Sequence, residues 1–197
     1  MNYLAHAYLS FNQPAILVGN LISDFIKGKK QFDFPDPIRQ GILLHRAIDA
    51  FTDAHPATHA AKSVFAVPYR LYGAAFADVV YDHFLANDVQ QFSPGSLYAF
   101  SQQVYTTLDD YIAFFPEKFR RMYPYMKQQN WLYNYRQHEG IERSFAGLAH
   151  RATYITESDT AFLLFNRHYP TLQQCYTDFF PAVKEFAQAT LLDLTGS

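Results

Sequence analysis

Apolar residues recur at three- and four-residue spacing along nearly the whole chain, as in Leu4, Tyr8 and Leu9, then Ile16, Leu17, Leu21 and Ile22. That spacing lines one face of an α-helix, and no stretch sustains the two-residue alternation of a half-buried strand between turn signals. The pattern predicts an all-α chain folded as a compact helical bundle. Prolines divide it at Pro14, Pro35, Pro37, Pro56, Pro68, Pro94, Pro116, Pro124, Pro170 and Pro181, each placed to open a helix or follow one. Helices are expected over 14–27, 37–53, 56–65, 68–88, 94–114, 116–137, 139–148, 156–166, 170–178 and 181–194, with an irregular crossing over 149–156. Lys27-Gly28-Lys29-Lys30 combines a glycine with cations, which suits a helix C-terminus. No internal repeat, low-complexity tract or linker interrupts the chain, so residues 1–197 are expected to form one domain.

Composition narrows the class. Hydrophobic residues make up 49% of the chain and charged residues 17%, with 19 Phe and 15 Tyr, which argues for an ordered core rather than disorder. Asp, His or Arg breaks every apolar run well short of the roughly 18 residues that a membrane span needs. The opening Met-Asn-Tyr-Leu-Ala-His lacks the basic and apolar regions of a secretory signal, and the single Cys175 has no internal disulfide partner. A soluble, cytoplasmic protein is expected. A net charge of -2 gives no general attraction to nucleic acid or anionic membrane, so neither is expected as a partner. Charge is instead concentrated in two basic patches. One comprises Lys27, Lys29 and Lys30 with Arg39, the other Lys118, Arg120, Arg121 and Lys127.

Polar residues that interrupt the apolar helices carry the candidate chemistry. His45, Asp49 and Asp53 stand at i, i+4 and i+8, which stacks an imidazole and two carboxylates along one helix face. Asp78 and Asp82 lie one turn apart among Val79, Val80, Phe84 and Leu85, with His83 beside the second. A buried carboxylate needs a cation or hydrogen-bond donors. Here a metal ion would serve, and so would Arg46, Arg70 or a backbone amide. His6 and Asp24 are further polar residues in apolar surroundings, and helical bundles build metal sites by projecting such residues inward from facing helices. The candidate ligands are His6, Asp24, His45, Asp82 and His83, with Asp49 as a ligand or a catalytic group beside them. Imidazole and carboxylate without thiolate point to a divalent metal, manganese first, with iron, magnesium or zinc as alternatives. No P-loop, dinucleotide fingerprint or Gly-x-Ser-x-Gly is present, so kinase, dehydrogenase and serine hydrolase classes have no motif behind them.

Asn2-Tyr3-Leu4-Ala5-His6, Gly19-Asn20-Leu21-Ile22-Ser23-Asp24-Phe25, His45-Arg46-Ala47-Ile48-Asp49 with Thr52-Asp53, and Asp82-His83-Phe84-Leu85 together resemble the acyl carrier protein phosphodiesterase family. Trp131-Leu132, Tyr135-Arg136 and Gly147-Leu148-Ala149-x-Arg151 extend the resemblance to about residue 151. It implies an HD-domain-like helical fold, although the chain carries Asp82-His83 where that wider class has His-Asp. It also implies hydrolysis of the phosphodiester joining 4'-phosphopantetheine to acyl carrier protein, with no organic cofactor. In that reaction Asp53, Asp78 or a free histidine would serve as the acid for the leaving serine, and Arg46 would steady a phosphate oxygen. The acidic carrier would dock on Lys27, Lys29, Lys30 and Arg39. Two rivals stand beside this reading. One is an HD-type phosphohydrolase acting on a nucleotide or other small phosphodiester, the other a non-catalytic helical module binding an acyl carrier or lipid.

Overall fold

Two helices cross so closely that no side chain fits between them. In a computed structural model, which describes residues 1–152 and 155–196 (Leu71 by its backbone alone), α2 (Pro14–Ile22) packs on α3 (Asp36–Ala54) through facing glycines. A Cβ on Gly19 would overlap the Ile38 carbonyl oxygen and lie 2.9 Å from the Gly41 Cα, and one on Gly41 would overlap the Ile16 carbonyl. The backbones themselves are in contact, and this fixes the register of everything the two helices carry.

Around this pair the described residues form α1 (Tyr3–Tyr8), α4 (Pro56–Tyr69), α5 (Gly73–Ala86), α6 (Ser96–Asp110), α7 (Glu117–Gln128), α8 (Trp131–Asn134), α9 (His138–Arg151), α10 (Asp159–Arg167) and α11 (Tyr169–Thr195). No strand occurs among them, as the periodicity predicts. None of these helices is long and apolar enough to cross a membrane. The core is one continuous apolar cluster, rich in buried rings such as Phe65, Phe76, Tyr81, Phe145 and Phe179.

Several boundaries depart from expectation for local physical reasons. The helix expected over 14–27 ends at Ile22 and tightens into 3-10 turns at Ser23–Phe25 and Gly28–Asp33. Arg70, at φ 49, breaks the chain between α4 and α5, so Pro68 lies inside the earlier helix rather than opening the later one. Asn130 takes the left-handed conformation that asparagine tolerates and splits 116–137 into α7 and α8. Pro181 does not end a helix. It lies within the 27-residue α11, whose buried Phe179, Phe180, Val183 and Ala187 outweigh the lost backbone donor. The 149–156 crossing begins later than expected, because α9 runs to Arg151, and residues 153 and 154 of it lie outside the described residues.

The short α1 was not anticipated from the pattern. Six residues rarely sustain a helix by propensity alone. Its N-terminus is held instead by Asp82 of α5, whose carboxylate accepts the amides of Leu4 (2.7 Å), Ala5 (3.1 Å) and Asn2 (3.3 Å). A carboxylate at this position satisfies backbone donors that have no partner within the helix.

Two outcomes follow. Alanine for glycine normally favours a helix, yet Gly19→Ala or Gly41→Ala should destabilise by about 1–3 kcal/mol through overpacking, read as a lower urea midpoint at unchanged m-value. Asp82→Ala should leave buried amides unpaired at a cost of about 1–3 kcal/mol. For a chain of this size that lowers Tm by roughly 2–10 °C in a calorimetric scan.

Candidate metal centre

The glycine crossing sets α2 and the turn after it against the middle of α3, and α1 closes the third side. His6 comes from α1, Asp24 from the 3-10 turn, and His45 and Asp49 from successive turns of α3. One donor atom each from His6, His45 and Asp49 lies within 4.8 Å of the others. The imidazoles stack, with centroids 4.0 Å apart, and are buried, whereas the side chains of Asp49 and Asp24 are 40% and 67% exposed. The site therefore has an imidazole floor and an open carboxylate rim.

A carbonyl oxygen fixes the protonation pattern of the floor. The Asn20 amide nitrogen donates to the His6 carbonyl (3.0 Å) and to Ser10 Oγ (3.1 Å), which turns its Oδ1 toward His6 Nδ1 at 2.8 Å. Because Oδ1 only accepts, His6 Nδ1 must carry the proton. Burial, with repulsion from His45, lowers the His6 pKa to about 4, so the ring is neutral near pH 7 and Nε2 holds a bare lone pair. That lone pair is buried without a hydrogen-bond donor and faces Asp49 Oδ1 at 3.2 Å. Lone pair against carboxylate is repulsive unless a cation lies between them.

His45 Nε2 lies 3.0 Å from both Asp24 Oδ1 and Asp49 Oδ2. Burial works against its imidazolium, but hydrogen bonds to Asp24 and Asp49 outweigh that and raise its pKa to about 9. Burial likewise opposes ionisation of Asp49, yet the hydrogen bond from His45 holds its carboxyl far below the usual range. The hydrogen bond from His45 lowers Asp24 as well. His45 Nδ1 is buried without a hydrogen-bond partner among the described residues, so the two carboxylates and the stack on His6 orient this ring. The donor set, two imidazole nitrogens with one or two carboxylates and an exposed rim, fits a hydrolytic divalent metal.

The other candidates lie elsewhere. Both Asp82 oxygens face backbone amides at the start of α1, which makes Asp82 the case foreseen in which amides, not a metal, satisfy a buried acid. Burial raises its pKa to about 7, against the pull of those amides. His83 pairs through Nδ1 with the Tyr135 carbonyl (2.7 Å) and through Nε2 with the Tyr169 hydroxyl (3.0 Å). Asp82 and His83 are thus each taken up by different partners and do not meet at one site. Asp78 accepts from the Met1 amino group at 3.0 Å, and that group is also 3.8 Å from Asp49. Asp53, exposed and two turns beyond His45, pairs with Lys62 at 2.6 Å. Arg46 donates to Gln31 Oε1 (3.0 Å) and to the Ile26 carbonyl (3.1 Å), bracing the strip that carries Asp24.

Lys27, Lys29 and Lys30 are exposed just beyond Asp24, whereas Arg39 is engaged by Asp36 at 2.8 Å and lies over Phe32. The second patch divides. Lys118 borders a groove with Lys30, Phe25 and Phe114, while Arg120 donates to the Phe115 carbonyl, Arg121 pairs with Glu117 and Lys127 with Asp109. Asn20, which orients His6, is the residue of this centre that the reading of single residues missed. Its signal was a lone amide between Gly19 and Leu21 in an otherwise apolar helix.

Comparison with known proteins finds relatives of one kind along nearly the whole chain. The chain is 31% identical to an acyl carrier protein phosphodiesterase of Yersinia pestis, over 95% of this chain and 98% of the relative. It is 32% identical to one from Escherichia coli, over 98% and 100% respectively. A relative of that name from Photorhabdus laumondii is 30% identical over 95% of this chain and 96% of its own length. No solved structure matches. The model of the family described as acyl carrier protein phosphodiesterase matches residues 1–183, and the chain belongs to that family.

Proposed function

We propose that this protein hydrolyses the phosphodiester between 4'-phosphopantetheine and the serine of holo acyl carrier protein, releasing apo carrier and free 4'-phosphopantetheine. The observation that carries the reading is the His6 Nε2 lone pair, set by Asn20 and aimed with His45 at the Asp49 carboxylate. His6, His45 and Asp49 would hold a divalent cation, with Asp24 at the rim as a further ligand. Manganese suits this mixture of imidazole and carboxylate, and iron, zinc or magnesium are the alternatives. A cation held there supplies Lewis acidity toward water and the phosphoryl oxygens.

The protein's own residues divide the remaining work. Asn20 holds His6 in the tautomer that offers Nε2, a second partner of the kind that metal-ligating histidines use. Asp24 and Asp49, both kept ionised, are suited to hold a cation rather than to give a proton to the leaving serine. Arg46 acts at one remove, fixing the strip behind Asp24 rather than touching phosphate. The carrier docks beside Asp24, on Lys27, Lys29, Lys30 and Lys118 around the groove between Phe25 and Phe114.

His45→Ala and Asp49→Ala should remove bound metal, measured by plasma mass spectrometry. They should also remove the mass shift from holo to apo carrier. Asn20→Ala should weaken metal binding by roughly 10–100-fold, while Asp53→Asn keeps both properties. Turnover by metal-free protein, or full activity in His45→Ala, would sink the metal reading. Turnover of nucleotides but not holo carrier would redirect the substrate.

Reversing charge in Lys29→Glu with Lys30→Glu should raise KM for the carrier by about tenfold at low salt with kcat unchanged, and the difference should shrink at high salt. Steady-state kinetics at two ionic strengths test this.

A further inference from the structure

Beside the metal centre, α1, α8 and α9 enclose a cleft that the reaction as described leaves without a role. Tyr3 and Trp131 form its aromatic wall, their ring centroids 6.4 Å apart and inclined at 46°. Gln129 and Asn134 add side-chain amides, and Arg143 and Arg151 add positive charge. No Asp or Glu is among the described residues that line it. Among the described residues neither arginine has a hydrogen-bond or ion-pair partner, and both are exposed at the cleft. Gly147, one turn before Arg151, leaves room for its guanidinium, since a Cβ there would stand 3.5 Å from Nη1 and a longer side chain would occupy its place.

The cleft adjoins the metal centre through α1. Tyr3 and His6 are three residues apart on that helix and share a face. The Tyr3 phenol is kept protonated chiefly by burial, and it also feels the negative charge of Asp24 and the positive charge of Arg151. Tyr3 thus lines the cleft on the helix that carries His6.

We propose that this cleft seats the 4'-phosphopantetheine arm of the substrate, with its phosphoryl end on the His6 side, held between the metal centre and Arg151, and Trp131 and Tyr3 against its dimethyl-bearing segment. The assignment rests on the phosphodiesterase reading above. The arm is a narrow chain with an anionic phosphate at one end, a branched apolar segment and two amides. The cleft offers a bidentate cation, aromatic faces and the Gln129 and Asn134 amides.

Trp131 is the only tryptophan in the chain, so its emission reports on the cleft directly. Free 4'-phosphopantetheine titrated into the metal-loaded protein should change that emission saturably, and pantetheine, lacking the phosphate, should bind more weakly. Arg151→Gln should weaken 4'-phosphopantetheine about tenfold, leave pantetheine unchanged and raise KM for holo carrier while metal content stays at the wild-type level. Arg151→Lys should recover part of the loss. Because the wild-type titration needs no variant, misfolding of a variant does not decide the result.

An unchanged emission at saturating 4'-phosphopantetheine, in protein that still releases it from holo carrier, overturns the cleft assignment and leaves the phosphodiesterase reading standing. An equal response to inorganic phosphate overturns it too, by reducing the site to an anion contact. Saturable, Arg151-dependent binding without release from holo carrier supports the cleft and fails the phosphodiesterase reading.

Discussion

The contact of Gly19 with Gly41 is the constraint on which the rest of the structure depends. With no side chain between them, α2 and α3 meet backbone to backbone, and their relative position has little latitude. Asn20 follows Gly19 directly and Asp24 comes a turn later, while His45 and Asp49 lie one and two turns beyond Gly41. The crossing thus delivers, from two apolar helices, the amide that orients one imidazole and the carboxylate that faces the other. An added methyl group at the crossing would push on both halves of the site at once, because a packed interior transmits strain.

The third side of the site depends on α5. Asp82 costs energy to bury, yet its charge is met by the amides of α1, and in return α1 gains the anchor that six residues cannot supply for themselves. His6 lies on the last turn of that helix, so a carboxylate away from the metal centre decides where one of its imidazoles sits. The centre also separates its chemistry by depth. The buried His6 keeps a fixed tautomer, and the carboxylates of Asp24 and Asp49 reach solvent, with exposed Lys27, Lys29 and Lys30 following Asp24 in the chain.

Much of this was legible in the residues. The three- and four-residue spacing gave an all-helical chain, and His6, His45, Asp49 and Asp24 stood out because each is polar in an apolar setting. The i, i+4 pairing of His45 with Asp49 follows from helix geometry alone. The same reasoning selected Asp82 and His83 with equal force, since a buried acid signals its need for a partner without naming the partner. It extended the line of His45 and Asp49 to Asp53, which lies far enough along α3 to meet Lys62 instead.

What the sequence determined by itself was therefore the helical class, the polar intrusions and the family, all of which depend on local periodicity or on residues quoted in order. What only the tertiary structure decided was which intrusions meet. Asn20 turned toward His6, Asp82 toward the α1 amides and Arg46 toward Ile26 are contacts between residues 14 to 80 positions apart. Such contacts arise from helix crossings, and a crossing is set by backbone approach at glycines and by the sum of core packing. Neither is encoded at the position of the residue whose role it fixes.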